Sequence, residues 1–308
     1  MASLATVLTL TLVWSLLRPE APRPTTRVSV VIPEDQSFHP RRGDFDLSND
    51  GSLLVYRGVG DEGQPQLWAR QWDALDATPV RDTDGAGRPA ISPDGREVAF
   101  NVGNGVIRVV PLPGGVSRTL TDSAWFAGGP PQWSPDGGWI YFTNPSQGLS
   151  RLPAGGGIAE IVTVVDTTTG YSVHVSVEVL PGDAAVYHAS PLNPLSGVVP
   201  TIQAVDSGTE EVKDLTAGRH PRYSSTGHLL FQDPREGILL VASFDAVRLE
   251  LTGEPFPLAD GLLVGGNSPV SFTFSQTGRL VYCTGTIGEA PIPVWVERDG
   301  SAREIDSG

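Results

Sequence analysis

One ten-residue phrase recurs along this chain. It reads "ISPDGREVAF" at 91–100 and "WSPDGGWIYF" at 133–142, and a third copy, "LSNDGSLLVY", stands at 47–56. Each is a tight turn followed by the alternation of a half-buried strand. Three weaker copies follow: "VLPGDAAVY" (179–187), "YSSTGHLLF" (223–231) and "FSQTGRLVY" (274–282). Their turn glycines, Gly51, Gly95, Gly137, Gly182, Gly227 and Gly278, are spaced by 44, 42, 45, 45 and 51 residues. A serine stands three residues before the glycine in five of the six: Ser48, Ser92, Ser134, Ser224 and Ser275. An aromatic follows every glycine: Tyr56, Phe100, Phe142, Tyr187, Phe231 and Tyr282. Strand-forming units of roughly 40–50 residues are propeller blades. Helical repeats of that length would need apolar stripes of period 3.6, and none is visible.

Four strands can be read in each unit. In the second they are "RPAIS", "REVAFNV", "GVIRVVPL" and "VSRTLT"; in the third, "PPQWS", "GWIYFT", "GLSRLP" and "IAEIVTV". Gly114-Gly115, Gly155-Gly156, Gly208 and Gly300 are expected to give the turns between third and fourth strands their positive φ. The aromatics are expected to pack between neighbouring blades, which must bury both faces. Residues 27–308 are thus expected to form an all-β, six-bladed propeller of four-stranded blades. "RVSVVI" (27–32) is expected to pair near "VWVERDG" (294–300) and close the ring, because an open blade leaves a bare edge strand.

Composition narrows the class. In 308 residues, 36 glycines and 27 prolines suit short strands joined by turns. A net charge of -14 repels phosphate backbones, so nucleic acid is not expected as a partner. The one cysteine, Cys283, permits no internal disulfide and reads as a half-buried strand residue.

The N-terminus is of another kind. Residues 2–17 carry no charge, and Arg18 ends the run. A membrane span needs about 20 apolar residues, so residues 4–17 read as a short helical membrane anchor, with a cleaved signal segment as the alternative. Residues 18–26 are a stiff, proline-rich spacer. Either reading places the rest of the chain outside the cytoplasm.

The repeated box, its apolar strand and the "VPLPGG" hairpin resemble the TolB-like propeller repeats of bacterial periplasmic proteins. "RVSVVIPEDQ" after an apolar segment, the stretch 220–258 and "VWVERDG" together resemble the extracytoplasmic region of bacterial membrane-bound serine/threonine protein kinases. That resemblance implies the sensor half of such a protein. No glycine-rich ATP loop, H-R-D or D-F-G is present, so it implies no phosphoryl transfer by these residues.

Catalytic signatures are missing: there is no G-x-S-x-G, H-E-x-x-H, C-x-x-C or Walker loop. Neither a catalytic residue, a metal ligand nor a cofactor is expected. Asp94 and Asp136 read as turn residues that bond their own backbone. Among the histidines (39, 174, 188, 220, 228), His174 and His188 can meet across a hairpin, as an ordinary strand pair or as a metal pair. "RDTDGAG" (81–87) has the start of a calcium loop without its later ligands, and otherwise reads as a solvated inter-blade loop. "HPRR" (39–42) reads as surface. The expectation is therefore a non-enzymatic binding or sensing propeller at the bacterial membrane, taking a protein or small molecule at its face. The alternatives are a free periplasmic TolB-like scaffold, or the propeller of a prolyl-oligopeptidase-like serine peptidase.

Overall fold

The computed structural model describes residues 45–262, apart from 104, 123, 125–128, 145, 147, 192 and 194–195, then 272–284 and two short strands beyond. The expected anchor, spacer and clasp (4–17, 18–26 and 27–32), with "HPRR", lie outside the described residues. So do the boundaries drawn at 17, 26 and 27.

Five four-stranded blades follow one another. Blade 1 is β1 (Phe45–Leu47), β2 (Leu53–Val59), β3 (Pro65–Gln71) and β4 (Thr78–Pro79). Blade 2 is β5 (Ala86–Ile91), β6 (Glu97–Val102), β7 (Val106–Pro111) and β8 (Arg118–Thr121). Blade 3 is β9 (Gln132–Trp133), β10 (Trp139–Thr143), β11 (Leu149–Pro153) and β12 (Glu160–Ile161). Blade 4 is β13 (Val173–Val179), β14 (Ala184–Ser190), β15 (Thr201–Asp206) and β16 (Val212–Ala217). Blade 5 is β17 (Arg219–Ser224), β18 (His228–Gln232), β19 (Leu239–Asp245) and β20 (Glu250–Leu251), with β21 (Phe256–Ala259) also paired to β19. Every blade is an antiparallel meander, each strand hydrogen-bonded to the next.

Among the described residues the expected count of six is corrected to five complete blades. The sixth box forms only a hairpin, β22 (Phe272–Phe274) with β23 (Leu280–Tyr282), among the described residues. A further hairpin, β24 (Val294–Val296) with β25 (Ala302–Glu304), belongs to a separate compact unit from the one within 31–293 that holds the blades.

The boxes explain why each unit turns where it does. All six anchor glycines lie between the first and second strand of their unit, with φ from 72 to 92°. An L side chain is strained there, so glycine is the residue that fits. Ser92 Oγ accepts from the Glu97 amide at 2.9 Å and donates to Asp94 at 2.6 Å. Ser134 does the same with Trp139 and Asp136, and Ser48 with Leu53 and Asp50. In blade 4, Leu180 takes the serine's place and its amide donates to Ala184 O in a loop one residue shorter.

The second-strand aromatics carry the seams. Tyr56, Phe100, Phe142, Tyr187 and Phe231 are buried, while Tyr282 on the hairpin is half-buried. Phe100 packs with Val55 and Leu67 of blade 1, Tyr187 with Tyr141 of blade 3, and Phe231 with Ile202 of blade 4. Full burial of one such side chain is worth about 1.5–3 kcal/mol.

Two local expectations are also corrected. The fourth strand of blade 3 shrinks from "IAEIVTV" to Glu160–Ile161, because an outermost strand has only one neighbour to pair with. In the outer turn of blade 4, Glu210 and not Gly208 takes the positive φ, at 59°.

Candidate functional site

The innermost strands converge on a cavity of about 240 Å³. Asp46 (β1), Gln132 (β9), Glu178 (β13), Arg222 (β17) and Thr273 (β22) reach it from five different units. Each stands two residues before the serine of its box, or before Leu180 in blade 4. Its mouth is collared by the next residue of each box: Asn49, Pro93, Pro135, Pro181, Ser225 and Gln276.

Hydrogen bonds join this ring at three of its seams. Asn49 Nδ2 donates to Pro93 O at 3.3 Å, the Ser225 amide to Gln276 Oε1 at 2.8 Å, and the Gln276 amide to Asn49 O at 2.8 Å. The β22–β23 hairpin therefore lies between blade 5 and blade 1. On the blade 5 side Phe272 packs against Leu230 and Val241. On the blade 1 side the Arg279 guanidinium lies 4.9 Å from the centre of the Trp72 ring and donates to Gly51 O.

Charge inside the cavity is unbalanced. Asp46 accepts from the Ile91 amide at 2.8 Å and from the Thr273 hydroxyl at 2.9 Å. Glu178 accepts from Arg222 Nη1 at 3.0 Å and from the Tyr223 amide at 3.2 Å. Loss of water raises both carboxyls above the ordinary range, against the pull of the Arg222 guanidinium. Two acids thus share one arginine, an arrangement that favours a ligand able to bring positive charge or hydrogen-bond donors.

The turns between third and fourth strands end on the same face as the collar, since strands alternate in direction. Four of them hold an apolar side chain out to water: Leu75, Val116, Ile158 and Val247, each at least 88% exposed.

Between blades 4 and 5 lies a buried histidine seam. His188 Nδ1 accepts from the His220 amide at 3.2 Å, and Ser176 Oγ bonds His220 Nδ1 at 2.8 Å. The His188 and His220 rings meet edge-on at 4.9 Å. Ser176 and His220 occupy matching bulges of β13 and β17, with φ of 52 and 53°. Such residues cost about 1–3 kcal/mol each and persist only where neighbours hold them. His174 bonds Thr163 at 2.7 Å and stacks obliquely on Tyr187.

The sequence-derived candidates sort as follows. Asp94 and Asp136 are box residues, held below the usual carboxylate range first by the serine hydroxyl each accepts from. Asp82 and Asp84 part company: Asp82 takes the Ser117 amide at 2.6 Å and Asp84 takes Gln64 at 3.0 Å, so the loop straps blade 1 to blade 2. His174 and His188 lie on paired strands, one register step apart, and His188 turns to His220. Cys283 is half-buried just past β23. Among the described residues no group of three or more His, Cys, Asp or Glu is placed to hold a metal ion. Asp46, Glu178 and Arg222 escaped the motif search, although their common offset from the box was readable.

The fold is that of a β-propeller, and solved TolB structures are among its structural neighbours. No family model matches the chain, and no curated protein matches it in sequence. Among solved structures, TolB from Acinetobacter baumannii matches with 20% identity and a TM-score of 0.54, over 70% of this chain and 54% of that one. The match thus spans about half of that protein's length. A chain of a mitotic checkpoint complex matches with 12% identity and a TM-score of 0.53, over 94% of this chain and 96% of that one. An acylaminoacyl peptidase from Pyrococcus horikoshii matches with 14% identity and a TM-score of 0.53, over 88% of this chain and 45% of that one. Identities this low speak for the fold alone.

Proposed function

We propose that this chain is a non-catalytic binding propeller whose ligand docks on the collared face and projects a polar or cationic group into the central cavity. The observation that carries the reading is the set of charged and polar side chains that five units send to one cavity, at one fixed offset from the box. Propellers bind at such mouths, and the exposed Leu75, Val116, Ile158 and Val247 offer a protein partner apolar contacts around the rim. Residues 4–17 would tether the domain to the bacterial membrane on its extracytoplasmic side, as the sensor of a serine/threonine protein kinase whose catalytic domain is encoded upstream. Among the described residues no helix is long and apolar enough to cross a membrane, so the tether rests on the N-terminal sequence.

A second reading draws on the likeness to the acylaminoacyl peptidase, of whose chain less than half is matched. Here the propeller would gate a hydrolase domain encoded beside it. Sequencing the locus on both sides decides between them. H-R-D and D-F-G motifs upstream support the sensor, and a G-x-S-x-G downstream overturns it in favour of the peptidase. Neither motif set, with Met1 as the start, leaves a free scaffold.

A further inference from the structure

The histidine seam and the cavity share two strands. β13 carries Ser176 and, two residues on, Glu178; β17 carries His220 and, two residues on, Arg222. Whatever holds the bulges together at one end also aligns the Arg222–Glu178 pair at the other.

The bond from the His220 amide needs a lone pair on His188 Nδ1, which leaves the ring proton on Nε2. A second proton would point N–H at N–H across a buried contact. The neighbours make that worse. On β13 His188 pairs with Val175, on β15 with Ile202, and it turns to β17, where His220 and the Arg219 charge oppose a second proton.

We propose that the seam between blades 4 and 5 is a proton-operated latch, in which a proton on His188 Nδ1 frees the His220 bulge and with it the strand that carries Arg222. At neutral pH the latch is shut. Burial and the surrounding positive charge hold His188 well below the usual imidazole range, so it resists protonation until the seam opens. Acid therefore works by stabilising the open form. Through His188 the open population gains up to about tenfold per pH unit below roughly 6.5. This device is independent of what the cavity binds.

The test is hydrogen exchange on the whole chain between pH 7 and 4.5, corrected for intrinsic rates. The reporters are the His220 amide, bonded to His188, and the Tyr223 amide, bonded to Glu178. Blade 2, which has no histidine, supplies the reference through β6 and β7. The expected result is an opening ratio that climbs about tenfold per pH unit for the two reporters and stays flat for blade 2. His188→Asn keeps an acceptor oxygen without a titrating ring and should abolish the climb. A flat response in the wild type, a rise shared equally with blade 2, or an unchanged rise in His188→Asn would each overturn the latch. Should that variant not fold, imidazole nitrogen shifts of the wild type decide: a proton on His188 Nε2 at pH 7 supports the proposal, and one on Nδ1 refutes it.

Discussion

Thr273 donates its hydroxyl to Asp46 Oδ1 at 2.9 Å, across 227 residues of chain. Loop closure over such a separation is costly in entropy, so few contacts of this length survive unless neighbours support them. Here the Gln276 amide on Asn49, Thr277 on Asp50 O and Arg279 on Gly51 run in series beside it. Thr273→Val keeps the shape and removes the donor, leaving a half-buried carboxylate short of a partner. The expected loss is about 1–3 kcal/mol in urea unfolding. The same change at exposed Thr226 should cost less than about 0.5 kcal/mol.

The cavity charges should answer differently to neutralisation. Arg222 is the cation both acids lean on, so Arg222→Met leaves Glu178 and Asp46 opposed only by hydrogen bonds. Its cost should reach about 2–4 kcal/mol at pH 7. Asp46→Asn instead removes the surplus negative charge and should be near neutral there. The sign with pH follows from the raised folded value. Asp46 holds its proton more tightly when folded, so its contribution is full below the unfolded value of about 3.9 and is lost as pH rises through the folded one. The stability of Asp46→Asn relative to wild type should therefore improve from pH 4 to pH 7; a constant difference counts against the assignment.

Two glycines separate conformational need from space. Gly95 has φ 72° and open surroundings, so Gly95→Ala should cost about 1 kcal/mol through backbone strain alone. Gly148 has no such φ, yet a Cβ there would stand 2.1 Å from the Thr163 carbonyl oxygen. That oxygen belongs to the backbone beside the Leu149–Val162 bond and cannot swing away. Gly148→Ala should cost about 3 kcal/mol or more, since a real displacement of strand ends is required. Thermal melts of the pair should rank Gly148→Ala well below Gly95→Ala.

Much of this molecule was legible because one physical unit is written repeatedly. The glycine, the serine three residues before it and the aromatic beyond it each answer one demand of the same turn and the same seam. Legibility failed at the edges. The outer strand of blade 3 has an apolar sequence yet pairs over only two residues, since outer strands are held by a single neighbour. The sixth unit showed its box as clearly as Ser224–Gly227 did, but a box specifies only the first hairpin of a blade. For the site, scanning for catalytic spacings missed Asp46 and Arg222, which lie 176 residues apart and meet through the ring. Registering the repeats on one another was the step that would have found them, because a polar residue sits at one offset in five units. The bulges at Ser176 and His220 had no such signal. Their conformation comes from the seam they share.

The box itself gives the last prediction, and it decides whether its aspartates are structural. If Asp94 serves the turn, its worth depends on Ser92, which both donates to it and accepts the Glu97 amide. Ser92→Ala removes two hydrogen bonds at a buried position and should cost about 1–2 kcal/mol. Asp94→Asn keeps an acceptor for the serine and for the Arg96 amide, and should cost only a few tenths. The pH dependence has its own sign. Asp94 has a depressed folded value, chiefly from the Ser92 hydroxyl, so it contributes stability above about pH 3.9 that is lost as pH falls through the folded value. Without the serine that depression largely vanishes. The gap between wild type and Ser92→Ala should therefore be steady from pH 8 to 5 and narrow below pH 4. Denaturant titrations at pH 7 and pH 3 measure it. A gap that stays constant to pH 3 would mean that the serine works only through the Glu97 amide, and the carboxylate would then need another role.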